Sequence, residues 1–180
     1  MGGYKIEDQT QAYFLTLTVE KWVDVFSRKI YRDIIIDTLR FCQQNKGLEI
    51  FAFVVMTNHI HLVVRSAEGK LSSTIREFKS YSAKQIIEAI KTEPESRRQW
   101  MCQLFKWSAV DNKRSENYQF WQRDNHPEVL YSPDFIDQKI NYIHQNPVKA
   151  GFVLNPEDYL YSSAMAYAGL PCLLDVIVEF

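Results

Sequence analysis

Two apolar runs standing two residues apart constrain this chain more than any other feature. Leu48 to Met56 is almost continuously apolar, and after Thr57-Asn58 the run His59-Ile60-His61-Leu62-Val63-Val64-Arg65 alternates in character. Alternation at a period of two marks a half-buried strand, and so short a link between two such runs reads as a β-hairpin. Side chains two apart leave the same face of a strand. His59 and His61 therefore stand together with Thr57 and Arg65, while Ile60, Leu62 and Val64 face the other way.

The surrounding elements fall into an order. Tyr13 to Val19 alternates threonines with apolar residues and reads as a strand. Ser27, as N-cap, opens a helix that runs to about Asn45, with Ile30, Ile34, Leu39 and Phe41 near helical spacing and Lys46-Gly47 as its stop. Leu71 to Ile90 predicts a second amphipathic helix, with Ser72 or Ser73 near its start and Ile75, Phe78, Ile86, Ile87 and Ile90 on its apolar side. Residues 92–118, with Pro94 and Asp111-Asn112-Lys113-Arg114-Ser115, read as connections with a short helix. Tyr118 to Arg123 reads as a fourth strand. Ser132-Pro133-Asp134 then caps and opens a helix expected to end by Pro147, Pro156 begins another short helix, and Leu173 to Phe180 is an apolar tail with strand character. The order β-α-β-β-α-β plus a helix predicts an α+β ferredoxin-like sandwich, with an antiparallel sheet, helices mainly on one face, and the other face available.

Composition narrows the class. With 180 residues, 46% of them hydrophobic, the chain should bury about 70% of its unfolded surface and needs no disulfide or metal to hold a core. The expectation is a single domain over residues 1–180, with 172–180 as a tail. Cys42, Cys102 and Cys172 lie far apart with no CxxC spacing, which argues against a disulfide framework or a thiolate zinc site. No apolar run approaches the ~20 residues that span a bilayer, and no signal-peptide core is evident, so a cytoplasmic protein without a membrane partner is expected. The net charge of -1 conceals an imbalance: residues 70–114 carry ten basic and five acidic groups, residues 115–180 three and nine. A local cationic surface is one reading, and a solvated helix face is the other.

Two imidazoles about 7 Å apart along a strand can converge on one cation, although an HxH pattern also occurs in strands that bind no metal. On the helix near residue 140, Tyr142 and Asn146 are one turn apart and share a face. Tyr142 is thus either a nucleophile beside a third ligand, Asn146, or a core aromatic beside a helix cap. His126 offers an alternative: joined to His59 and His61, it would make a three-histidine zinc hydrolase with a metal-bound hydroxide. His144 falls on a different helix face. Trp107, Tyr118 and Trp121 lie in or beside the basic region, so a non-catalytic single-stranded nucleic-acid binding module is a further reading.

Met56-Thr57-Asn58-His59-Ile60-His61-Leu62, Tyr142-Ile143-His144-Gln145-Asn146-Pro147-Val148-Lys149-Ala150-Gly151 and Tyr161-Ser162-Ser163 together resemble the motif set of REP-associated tyrosine transposases, within the HUH single-strand nuclease superfamily. Thr57 stands where that family often has proline, a change that removes no ligand. The resemblance implies a divalent metal, magnesium or manganese, on His59, His61 and Asn146, and attack on DNA by Tyr142 to give a 5′ phosphotyrosine. It implies single-stranded or hairpin-forming DNA as partner and leaves monomer or homodimer open. Lys79, Lys84 and Arg123 are candidate phosphate contacts. Tyr81 is a rival nucleophile without an amide at the fourth following position.

Overall fold

The computed structural model describes residues 5–110 and 117–179. Its sheet has four strands: β1 (Tyr13–Thr18), β2 (Leu48–Val55), β3 (His59–Ser66) and β4 (Glu128–Val129), in the order β2-β3-β1-β4 with every neighbouring pair antiparallel. Helices α1 (Lys29–Lys46) and α2 (Leu71–Thr92) are the two crossovers, and α3 (Arg98–Val110), α4 (Pro133–Lys149) and the single turn α5 (Ala164–Tyr167) follow. This order and connectivity are those of the ferredoxin-like α+β sandwich.

The expected hairpin forms, and its register sets what faces what. Thr16 and Val54 stand directly opposite His61 on either side, and Thr18 stands opposite His59. Phe14, Thr16, Thr18, His59, His61 and Val63 therefore share one face. Leu15, Leu17, Ile60 and Leu62, all fully buried, point to the other, where α1 and α2 cover them. Gly47, with φ of 60°, closes α1 in the left-handed conformation that glycine adopts at least cost.

The face expected to be open is covered. Helix α4 lies across it, the Tyr142 ring meeting Phe14 and His61. Phe14, Val54 and Val63 supply an apolar surface there that must be kept from water, and α4 answers with Ile136, Ile140 and Ile143.

Several local expectations are corrected. Ser27 is not an N-cap: it ends a tight turn at Val25–Ser27, and Arg28 takes the cap position of α1. Ser72 and Ser73 do lie near the start of α2, in its first turn behind the cap residue Lys70; the Ser72 N–H donates to Gln9 Oε1, and Lys70 N–H donates to Ser66 Oγ. Tyr118 to Arg123 is not a strand. Phe120 and Trp121 are both buried with their rings 4.9 Å apart, which the alternation of a strand does not permit, and the segment touches the sheet through one bridge, Val19 to Trp121. The fourth strand is Glu128–Val129. Helix α4 runs through Pro147 to Lys149, because proline removes one N–H without preventing the turn that Gly151, at φ of 74°, then closes. The helix from Pro156 is one 3-10 turn to Asp158. Within the described residues the tail is irregular: Ile177 N–H donates to Ile50 on the outer edge of β2, and Gln43 holds the Asp175 carbonyl. Phe180 and Asp111 to Ser115 lie outside the described residues.

Candidate active site

Strand β3 brings the two histidines within reach of each other, their ring centroids 4.7 Å apart. His61 is only 4% exposed, pinned between Phe14, stacked at 5.3 Å, and the Tyr142 ring at 5.2 Å. Its Nδ1 lies 2.9 Å from Thr16 Oγ1, the residue directly across the strand pair. Its Nε2 is buried with no hydrogen-bond partner. A buried polar atom left unpaired costs about 1–3 kcal/mol, so its presence asks for a ligand.

His59 is half-buried, and its Nδ1–H donates to the Asn58 side-chain oxygen, 2.7 Å away. An amide oxygen only accepts, so the proton sits on Nδ1 and the lone pair on Nε2. Thr16 allows the same tautomer at His61. Both rings thus carry the outer-shell partner that metal-bound histidines use, with Nε2 left as the ligating atom. Burial holds His59 below the usual imidazole value. It pulls His61 down to about 3, with the neighbouring His59 and Lys139 adding to the effect, so the neutral, ligating forms prevail at ordinary pH.

Tyr142 is 42% exposed and stands over His61 from α4. Lys149 Nζ lies 5.8 Å from its ring centroid. Asn146, one turn on, donates its side-chain N–H to the Tyr142 carbonyl at 2.8 Å, which leaves its oxygen as the atom able to serve a cation. Among the described residues no three His, Cys, Asp or Glu side chains gather as a ligand set. His126 accordingly does not complete a three-histidine site: it lies on the segment after Asp124, its backbone N–H bonded to that carboxylate, and is exposed. Tyr81 sits on α2 beside the groove against α1, with Phe41 and Lys46, on the side of the sheet away from His61.

Of the expected phosphate contacts, Lys79 is engaged within the protein. Its Nζ donates to the Gln122 carbonyl at 2.8 Å and to Asn125 Oδ1 at 2.6 Å, and burial pulls its pKa down to about 8 against the opposing pull of Asp124. It fastens residues 122–125 to α2. Lys84 and Arg123 are exposed, and with Arg76 and Lys91 they line a groove of about 760 Å³ between α2 and residues 117–123. That wall meets the sheet at its His59 end, because Gln122 N–H donates to Thr18, the residue opposite His59. Trp121 is buried, its indole N–H on Ser82, whereas the Tyr118 ring lies between Lys91 and Lys106 and Trp107 is 65% exposed.

Thr16 and Asn58 were not among the residues expected at the site. Asn58 adjoins His59 in sequence and could have been found there. The threonine alternation was legible, but only the register between distant strands shows which threonine meets which histidine.

An antiparallel ferredoxin-like sheet carrying a histidine pair, with a tyrosine facing it from a covering helix, is the layout of a tyrosine transposase. Residues 9–123 match the family described as transposase, IS200 like, and the chain belongs to that family. The matched span holds both histidines; Tyr142 and Asn146 lie beyond it. A REP-associated tyrosine transposase of Haemophilus influenzae is 29% identical over 118 residues, which cover 64% of this chain and 58% of that protein. The chain thus spans under two thirds of that relative's length. A solved REP-associated tyrosine transposase bound to a REP hairpin shares the fold with a TM-score of 0.61 at 20% identity, over 100% of this chain and 94% of that one.

Proposed function

We propose that this transposase nicks and rejoins single-stranded, hairpin-bearing DNA through attack by Tyr142, with a divalent metal, magnesium or manganese, held by His59, His61 and Asn146. One observation carries the reading: the unpaired Nε2 of His61 is buried beside the Tyr142 ring, with His59 completing a pair of neutral imidazoles. The mixed nitrogen and oxygen donor set suits manganese, and magnesium is also accommodated. When bound, the metal neutralises the scissile phosphate and steadies the departing oxygen.

The chain's own residues do the rest. The Tyr142 phenolic oxygen forms a bond to phosphorus as the bond to the 3′ oxygen breaks; the phenol loses a proton and the 3′ oxygen gains one, leaving a 3′ hydroxyl and a 5′ phosphotyrosine. That ester conserves the energy of the broken bond, and attack by a 3′ hydroxyl on it reverses the cycle, as strand transfer requires. The partial exposure of Tyr142 lets a phosphodiester reach it, while α4 covers His61. Lys84, Arg123, Arg76 and Lys91 offer a cationic path for the flanking backbone. The solved relative bound to a REP hairpin supports a hairpin as the partner.

The test is incubation of labelled hairpins carrying single-stranded flanks with the protein and manganese, followed by denaturing electrophoresis. A covalent adduct that maps to Tyr142, is absent in Tyr142→Phe and persists in Tyr81→Phe is expected. Efficient cleavage by Tyr142→Phe, or by His59→Ala and His61→Ala in excess EDTA, overturns the assignment.

A further inference from the structure

Four rings stand in a row across the site. Trp22 meets His59 edge-on at 6.5 Å, His59 meets His61 at 4.7 Å, and His61 meets Tyr142 at 5.2 Å. The first member has no part in the chemistry described above, yet it is 60% exposed, among the most exposed large aromatics described.

Its backbone is unusual as well. Lys21 and Trp22 are consecutive non-glycine residues at φ of 53° and 57°. The left-handed region brings Cβ against the carbonyl oxygen, and such residues persist only where the surroundings hold them. Here the surroundings are visible. Trp22 N–H donates to the Val19 carbonyl, and Asn58 Nδ2 donates to the Trp22 carbonyl at 3.3 Å while the same Asn58 side chain accepts from His59 at 2.7 Å. One amide thus fixes both the histidine tautomer and the position of the tryptophan. An exposed indole adds nothing to the core, and a strained turn subtracts from stability. Both are kept beside the reacting centre.

We infer that Trp22 is a stacking platform for an unpaired nucleobase next to the phosphate that Tyr142 attacks. Every base has a π face, and a paired base in a duplex has none free for the indole, so the platform favours a single strand without reading its sequence. Trp22 touches the histidine pair through His59 and Tyr142 touches it through His61, so a strand whose phosphate is seated at Tyr142 can extend a neighbouring base to the indole. The inference rests on the nuclease reading of the site.

Base stacking on an aromatic is an interaction the bare sugar-phosphate backbone cannot make, and that separates it from a structural role. The experiment measures, by fluorescence anisotropy with manganese present, the affinity of the full chain for a labelled oligothymidylate and for an abasic strand of the same length. In Trp22→Ala the preference for the base-bearing strand should fall about tenfold, with affinity for the abasic strand unchanged and Trp22→Phe retaining most of the preference. Equal weakening on both strands makes Trp22 a structural residue and overturns the platform. So does an unchanged preference, or a change in sedimentation of Trp22→Ala without a change in preference, which would make the indole a contact between copies. Both strands are carried as the single-stranded flank of one hairpin; a wild-type protein that binds neither hairpin removes the nuclease reading, whereas binding without preference for the base-bearing flank removes the platform alone.

Discussion

His144 Nε2 and Ser163 Oγ are 2.8 Å apart in the interior, and the same hydroxyl lies within hydrogen-bonding distance of both the N–H and the carbonyl of Phe53 on β2. Two residues after Tyr142, this bond ties α4 to the sheet. The Tyr167 ring, 4.9 Å from His144, closes the other side. Ser163, fully buried, therefore serves the position of the helix that carries Tyr142.

Ser163→Ala should leave His144 and the Phe53 amide unpaired and cost about 1–3 kcal/mol of stability. Urea unfolding followed by circular dichroism measures it. A midpoint identical to wild type would show that the bond does not hold the helix.

Thr16→Val keeps the shape of β1 and removes the hydroxyl beside His61 Nδ1. Outer-shell losses of this kind weaken metal binding about 10- to 100-fold, so manganese affinity by isothermal titration should fall by that factor while the fold persists. Unchanged affinity would mean that Thr16 does not orient the ring.

Glu95 is nearly inaccessible and binds Arg28, Arg97 and the Tyr31 hydroxyl. Burial alone would raise its pKa; hydrogen bonds from the Arg97 backbone and guanidinium, then from Arg28 and Tyr31, outweigh that and hold it at about 2. The folded state therefore keeps the carboxylate where the unfolded chain, near 4.5, takes up a proton. Its contribution is complete above about pH 4.5 and is lost as pH falls towards 2. Glu95→Gln should be less stable than wild type at neutral pH and should flatten the acid slope of the unfolding midpoint; an identical slope would refute the linkage.

Lys79→Met should lower the melting temperature, because it releases Gln122 and Asn125 from α2, and should affect DNA affinity mainly through that loss. Lys84→Ala should leave melting nearly unchanged, and Lys84→Ala and Arg123→Ala should each weaken binding to single strands and reduce the salt slope by about one. A DNA affinity in either variant equal to wild type at low salt would take that residue off the backbone path.

The hairpin, the shared face of His59 and His61, the helix from Ser132 that carries Tyr142 and Asn146, and the α+β order were all legible in the amino-acid order. Each of these follows from periodicity or capping within a dozen neighbouring residues. The motifs also sufficed to suggest the family. The features that were not legible depend on partners far apart in the chain. The open face turned out to be covered because α4 returns over Phe14 and His61. The strand expected at Tyr118 to Arg123 was lost because Phe120 and Trp121 are both buried, and Lys79 was drawn from the surface by Gln122 and Asn125. Trp22 gained its place beside His59 through Asn58. Local pattern states which way a side chain points along its own element; which residue of another element meets it is set by register and packing across the core.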